Sequence, residues 1–370
     1  MPRPLYVARP LLPDINDFEL VLKEIWKSRV VTNGGPLHNK LEAELQKYLD
    51  VPTAMLFNNG TMGLLVALKM FDFPKESEII TTPLTFAATA HAIKWNGFKP
   101  VFADVDPNTL TLDPASVEKA LTAKTAAILA VHVYGTVCDV DKLQEIATKY
   151  NLKLIYDAAH VFGTKINGQA IGKFGDASVF SFHATKLFNT IEGGLIATPH
   201  KSYQQTIYNL RNFGIKNEEE VVSIGLNGKM NELQAAIGLL NLPLVEKERS
   251  IRKSLRQEYC SRLEGIKGIT LPPFQKGVLN SEQYFPVVIN EEIFGKSRDE
   301  IYDALKKKQI FTRKYFHPIC TDFLPYKGYG IVTARDHPYA NVVKHRVLCL
   351  PFHSAVEQDD ITDICNEFLK

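Results

Sequence analysis

The chain has 370 residues, 45% hydrophobic and 23% charged, with a formal net charge of +2 from 43 basic and 41 acidic side chains. That is an ordinary soluble globular composition with room for two domains, and without a basic run interleaved with aromatics it gives no reason to expect a nucleic-acid partner. Five scattered cysteines (Cys138, Cys260, Cys320, Cys349, Cys365) form no CxxC, and no stretch approaches the roughly 18 apolar residues of a membrane span, which argues against a disulfide framework, a zinc or other metal site and a membrane protein. Met1 to Leu5 lack the apolar core of a signal peptide, so the expected location is cytoplasmic.

After an extended N-terminal segment, helical spacing predicts helices over Asp17–Ser28 and Leu37–Leu49. Short apolar runs then alternate with helical patterns. The predicted strands are 54–57, 78–82, 100–104, 126–131, 153–157, 177–181 and 194–198. The predicted helices between them are 64–70, 86–95, 114–121 and 140–150. This alternation predicts an α/β layer with a mostly parallel sheet, whose ligands gather at the carboxyl ends of strands. Asn59-Gly60-Thr61 and Asp157 both fall at such ends. Val245 to Leu263, rich in Lys and Arg, predicts a long exposed helix joining domains. Beyond it, strands at 268–271, 284–289 and 347–350 with helices at 298–308 and 359–369 predict a small α+β domain. The expected division is 1–245 and 246–370.

Two residues carry the chemistry. Lys186, in Ser181-Phe182-His183-Ala184-Thr185-Lys186, can condense with an aldehyde. Asp157, 29 residues earlier, can hold a proton on a pyridine nitrogen; these are the two groups that pyridoxal phosphate requires. Apolar and glycine-rich flanks suggest that Lys186 is partly buried, which lowers an amine pKa and makes it a usable base. Gly60 and Thr61, at a strand-to-helix turn, suit a phosphate, with backbone N–H groups and a helix start facing it. An Asn-Gly turn alone is more often only a turn. Phe86 opens a helix and could lie on a cofactor ring, although a lone phenylalanine is more often core. Asp157 alone could be a helix N-cap, and His160 alone a satisfied polar residue.

With these residues assembled, the chain resembles the DegT/DnrJ/EryC1/StrS sugar aminotransferases, fold-type I pyridoxal phosphate enzymes, across nearly its whole length. The resemblance rests on Asn59-Gly60-Thr61, Pro83 to Thr89, Phe102 to Asp106, Val131 to Gly135, Asp157-Ala158-Ala159-His160, Gly175-Asp176, Ser181 to Lys186, Glu192-Gly193-Gly194, Asn227 to Ala236 and Cys349-Leu350-Pro351. It implies a large domain with a seven-stranded sheet and a small C-terminal domain. It implies that Lys186 is tethered to the cofactor and shuttles the proton, that Asp157 pairs with the ring nitrogen, that His160 touches the phenolic oxygen and that Phe86 stacks on the ring. Gly60, Thr61, Met62 and Ser181 would hold the phosphate. Family members are usually homodimers with shared active sites, and Asn227 or Lys229 would then reach the partner subunit's phosphate or substrate. Thr32, Asn33, His183, Arg313 and Tyr315 would line the sugar or nucleotide pocket. Relatives often carry histidine where Cys320 stands, and some read Gly where Ile191 stands.

Relatives that dehydrate a sugar carry histidine at the position of Lys186, so the resemblance implies transamination. C3-acting relatives more often have tyrosine at position 183 and Gly-Asp-Gly-Gly downstream. The expected reaction is therefore amination of a nucleotide-linked 4-keto-6-deoxy sugar, dTDP-4-keto-6-deoxy-D-glucose foremost, with L-glutamate as donor. The product would be dTDP-4-amino-4,6-dideoxy-D-glucose for cell-surface polysaccharide or O-antigen. The alternatives are C3 amination of a 3-keto-6-deoxy sugar, UDP or GDP carriers, and a non-catalytic binding member of the fold.

Overall fold

The computed structural model describes residues 4–327 and 337–369. Met1, Pro2 and Arg3, part of the segment read for a signal peptide, lie outside the described residues.

A seven-stranded sheet forms the larger layer. From edge to edge its strands are Thr53–Phe57, Gly194–Thr198, Ala177–Ser181, Lys153–Asp157, Thr125–Val131, Glu78–Thr81 and Lys99–Phe102. All neighbours are parallel except Gly194–Thr198, which runs antiparallel to both of its own. The strands are buried on both faces, as helix-covered parallel sheets are. Period-2 alternation sorts their side chains between two cores. Ala54, Leu56, Phe180, Leu195 and Ala197 join the cluster around Leu41, Leu45 and Phe188. Met55, Phe57, Val179 and Ile196 join the opposite cluster around Leu64, Leu68 and Ile93.

The helix after the first strand begins at Gly60, four residues earlier than the spacing predicts, because Asn59 caps it by accepting from the Met62 N–H. Among the described residues four α-helices have no counterpart in the sequence reading: Gln204–Arg211, Glu232–Asn241, Glu291–Phe294 and Pro338–Val343. The second carries a readable signal, an Asn231–Gln234 capping box.

A second, antiparallel sheet of Ile269–Thr270, Phe285–Ile289 and Val347–Leu350 has its own core with the helices Val245–Leu263, Arg298–Lys307 and Gln358–Leu369. The helix 245–263 is not the exposed connector that its charge suggests. Glu248, Arg249, Arg252, Leu255 and Tyr259 are buried. Arg252 survives burial because Glu248, one turn before it, accepts from its Nε at 2.7 Å. Losing one partner of such a buried pair costs about 3–5 kcal/mol. Two short pairings tie the parts together: Leu5–Tyr6 runs parallel to Ile310–Phe311, and Lys165–Ile166 antiparallel to Val278–Leu279. Among the described residues no helix is long and apolar enough to cross a membrane.

Candidate active site

Asp157 ends the fourth of the seven strands, in register with Val131 and Val179 on either side. Its carboxylate therefore lies at the carboxyl edge of the sheet. No helix starts after it, so it is not an N-cap, although its Oδ1 accepts from the Ala159 N–H at 3.1 Å. Its Oδ2 accepts from Thr89 Oγ1 at 2.8 Å, and Thr85 Oγ1 lies 2.8 Å from Thr89 Oγ1. Burial raises the Asp157 pKa; the Thr89 and Ala159 hydrogen bonds and the Lys186 charge pull it back. Each carboxylate oxygen keeps a lone pair for a third partner.

His160 follows in the turn. Its Nδ1 accepts from the Tyr134 N–H at 3.0 Å, which leaves the ring proton on Nε2. Burial, helped by the Lys186 charge, pushes its pKa well down, so the ring is neutral. It stands edge-on to Tyr284, with centroids 5.1 Å apart, and parallel to Phe316 at 6.1 Å.

Lys186 leaves the sheet one turn beyond the strand Ala177–Ser181, its N–H donating to the His183 carbonyl at 2.8 Å. Its Nζ sits 5.7 Å from the Tyr284 ring centroid. The side chain keeps some accessible surface because it faces an open cavity, yet the amine is packed deep enough that burial lowers its pKa to about 8, against the opposing pull of Asp157. A buried, partly neutral amine beside a carboxylate is a nucleophile and a proton carrier.

Asp157, His160 and Lys186 converge on a cavity of about 590 Å³ also lined by Gly60, Thr61, Met62, Phe86, Ser181, His183 and Tyr315. Phe86 is 62% exposed, an apolar ring presented at the cavity rather than packed into a core. His183 Nδ1 lies 2.8 Å from Thr185 Oγ1, and its Nε2 is 3.7 Å from Glu192 Oε1 at the same cavity. In the same lining, Gly60 and Ser181 form a tight corner. A Cβ on Gly60 would stand 3.0 Å from that of Ser181. The Gly60 and Thr61 N–H groups are in the first helical turn, where no intrahelical acceptor exists, and Asn59 takes only that of Met62. A cavity lined by an anion corner, a buried carboxylate and a lysine fits pyridoxal phosphate.

Five expected residues lie outside this cavity lining. Thr32, Asn33 and Arg313 are exposed. The Lys229 Nζ donates to Asn212 Oδ1 at 2.9 Å and lies 4.8 Å from the Phe213 ring centroid; burial, then Arg211, lowers its pKa. The Asn227 carbonyl accepts from Asn58 Nδ2 at 3.4 Å. Cys320 is buried, with its thiol pKa pushed up to about 12, and does not reach the cavity. Sequence reading misses Thr89, Tyr134, Tyr284 and Phe316. Thr85 and Thr89, one helical turn apart, are the one readable hint.

The comparisons agree with this geometry. Residues 14–369 match the model of the DegT/DnrJ/EryC1/StrS aminotransferase family. A dTDP-4-amino-4,6-dideoxy-D-glucose transaminase of Shigella dysenteriae is 43% identical over 361 residues, covering 97% of this chain and 96% of that protein. One of the same name from Escherichia coli is 39% identical over the same coverage. The crystal structure of DesI in the presence of its TDP-sugar product superposes with a TM-score of 0.93 at 35% identity, covering 99% of this chain and 92% of that one. With that much of its length matched, and the lysine and the carboxylate facing one cavity, the chain belongs to the DegT/DnrJ/EryC1/StrS aminotransferase family.

Proposed function

We propose that this protein is a pyridoxal phosphate-dependent transaminase that aminates C4 of dTDP-4-keto-6-deoxy-D-glucose, with L-glutamate as donor, to give dTDP-4-amino-4,6-dideoxy-D-glucose. The observation that carries the reading is the convergence of Lys186, Asp157 and His160 on one cavity. The names of the Shigella and Escherichia relatives supply the substrate class.

The bound cofactor supplies an electron sink that stabilises negative charge on the carbon losing or gaining a proton. Lys186 Nζ tethers it, takes the α-proton from glutamate and later delivers a proton to C4 of the sugar. Asp157 keeps the ring nitrogen protonated; of the two acids lining the cavity it is the buried one, Glu192 being exposed. The His160 Nε2–H donates to the phenolic oxygen. The N–H groups of Gly60 and Thr61, with the Thr61 and Ser181 hydroxyls, hold the phosphate, Met62 flanks it and Phe86 covers the ring. His183 and Tyr315 face the sugar from the cavity wall, and Thr32, Asn33 and Arg313 contact the sugar or nucleotide farther out.

The same reading makes the enzyme a homodimer with shared sites, in which Asn227 and Lys229 serve the partner subunit's site. Support comes from the apolar side chains that the single chain exposes on segment 213–226, namely Phe213, Val221, Val222 and Ile224. We also divide the chain into domains 1–245 and 246–370, each with its own sheet, place it in the cytoplasm, and assign its product to cell-surface polysaccharide such as O-antigen. The test is to incubate the protein with pyridoxal phosphate, glutamate and dTDP-, UDP- and GDP-linked ketosugars and to locate the new amine by NMR. Amination at C3, or no product with a dTDP-4-ketosugar, overturns the assignment.

A further inference from the structure

We infer that Gln283 is the positioning residue that fixes Lys186, acting through the backbone on both sides of it. The inference rests on the reading of Lys186 as the reactive lysine. Lys186 is not in regular structure. It belongs to a loop that leaves the sheet after Ser181 and returns at Gly194. Buried backbone groups in such a loop need side-chain partners. The Gln283 side chain, 3% exposed, provides both. Its Oε1 accepts from the Leu187 N–H at 2.8 Å, and its Nε2 donates to the Thr185 carbonyl at 3.1 Å. One carboxamide thus grips the residue before and the residue after the lysine. Among side chains of that length only a carboxamide can accept and donate at once; a carboxylate keeps the first bond and loses the second.

The grip is itself anchored. Ser281 Oγ donates to the His160 carbonyl at 2.6 Å, Asn280 Nδ2 to the Gly135 carbonyl at 3.1 Å, and the Tyr284 N–H to the Tyr134 carbonyl at 3.3 Å. Arg252, locked on Glu248, donates to the Glu282 carbonyl at 3.4 Å, and Arg256 pairs with the Glu282 carboxylate at 2.6 Å. Segment 280–284 therefore holds the backbones carrying His160 and Lys186 in one frame and lays the Tyr284 ring beside the amine. The Lys186 side chain has four rotatable bonds. Fixing both peptide units at its root removes backbone drift from the position of Nζ, and small misplacements of a reacting group are costly in rate.

The test compares the holoenzyme with Q283M, which keeps volume and loses both bonds, and Q283E, which keeps only the bond from Leu187. In Q283M, kcat falls about 10- to 100-fold while KM for the nucleotide sugar holds. The pH midpoint of the visible band of the tethered cofactor moves by about one unit, and its visible circular dichroism weakens. Q283E lies between Q283M and the parent. If Q283M does not fold, the kcat and band midpoint of Q283E decide alone. Parental kcat and midpoint in the folded variant overturn the inference, as does a loss confined to Tm. A parent protein with neither visible band nor turnover overturns the cofactor reading instead, so the two failures are distinct.

Discussion

Asp157 and His160, on the floor of the cavity, are 7% and 6% exposed and already hold backbone or hydroxyl partners, whereas Thr32, Asn33 and Arg313 stand exposed outside the lining. The floor is complete within one chain: its electrostatics follow from burial and from hydrogen bonds closed within residues 85–187 and 280–284. The rim, Thr32, Asn33 and Arg313 with Lys229, lies outside the lining, and Lys229 rests on Asn212 and Phe213. On the proposed reading, a single chain holds the groups that move the proton at the cofactor, and its residues for the nucleotide sugar lie outside the lining. Floor substitutions should act on kcat, and rim substitutions on KM.

The strongest way to break that division is at the floor. On the proposed reading, replacing Lys186 with alanine removes tether and base together, and steady-state turnover should fall by at least about 10³-fold. An active K186A protein refutes the assignment. Asp157→Asn keeps the shape of the side chain and removes the charge that holds the ring proton; kcat should fall by about 10²-fold or more with KM little changed. Thr89→Ala acts one step behind. Losing a hydrogen bond to a buried carboxylate raises its pKa further, and kcat should fall about 10-fold. The pH profile of kcat should lose its acid-side activity first, because the carboxylate is then protonated at a higher pH, and a parental profile in T89A would remove Thr89 from the account.

The Lys186 amine gives a pH test on the cofactor-free protein. Its pKa is about 8 when folded, against 10.5 for an ordinary lysine. Only the neutral amine attacks the cofactor aldehyde. Uptake, followed by the growth of the visible band, should therefore rise about tenfold per unit up to pH 8 and then level. Between about 8 and 10.5 the unfolded chain binds a proton at this site that the folded chain does not, so the cofactor-free fold should gain stability as pH rises through that window. Uptake still climbing well above pH 9 would place the amine in water.

The floor was also the part most legible in sequence. Asp157 sits where a short apolar strand ends, and Lys186 where the next one gives way to a loop, so local periodicity brings both to one sheet edge. Thr89 is hidden because nothing local says that the start of helix 87–95 reaches the end of strand 153–157. Gln283 was hidden more deeply, 97 residues beyond the lysine that it flanks. The helix 245–263 was misjudged for a related reason: charge density reads as exposure unless a Glu–Arg pair one turn apart, here Glu248 and Arg252, lets both go inside. Gln204–Arg211 opens without a side-chain cap and so gives no start signal.

The rim offers the smallest expected effects and the sharpest test of the comparison. Lys229→Ala removes a cation that rests on Asn212 and Phe213 of its own chain, so kcat should hold while KM for the nucleotide sugar rises about tenfold, as for a lost charged contact to phosphate. Mixing K186A and K229A proteins decides whose site the cation serves. If it reaches the partner subunit's site, each hybrid dimer contains one site with both residues intact. Random reassortment then restores about a quarter of the parental sites. If Lys229 serves its own chain, every site in the hybrid lacks one of the two residues. Activity at low substrate then stays at the level set by the K229A chains alone. Recovery after mixing would mean that the rim is completed in trans while the floor is built in cis, and its failure would place Lys229 at the site of its own chain.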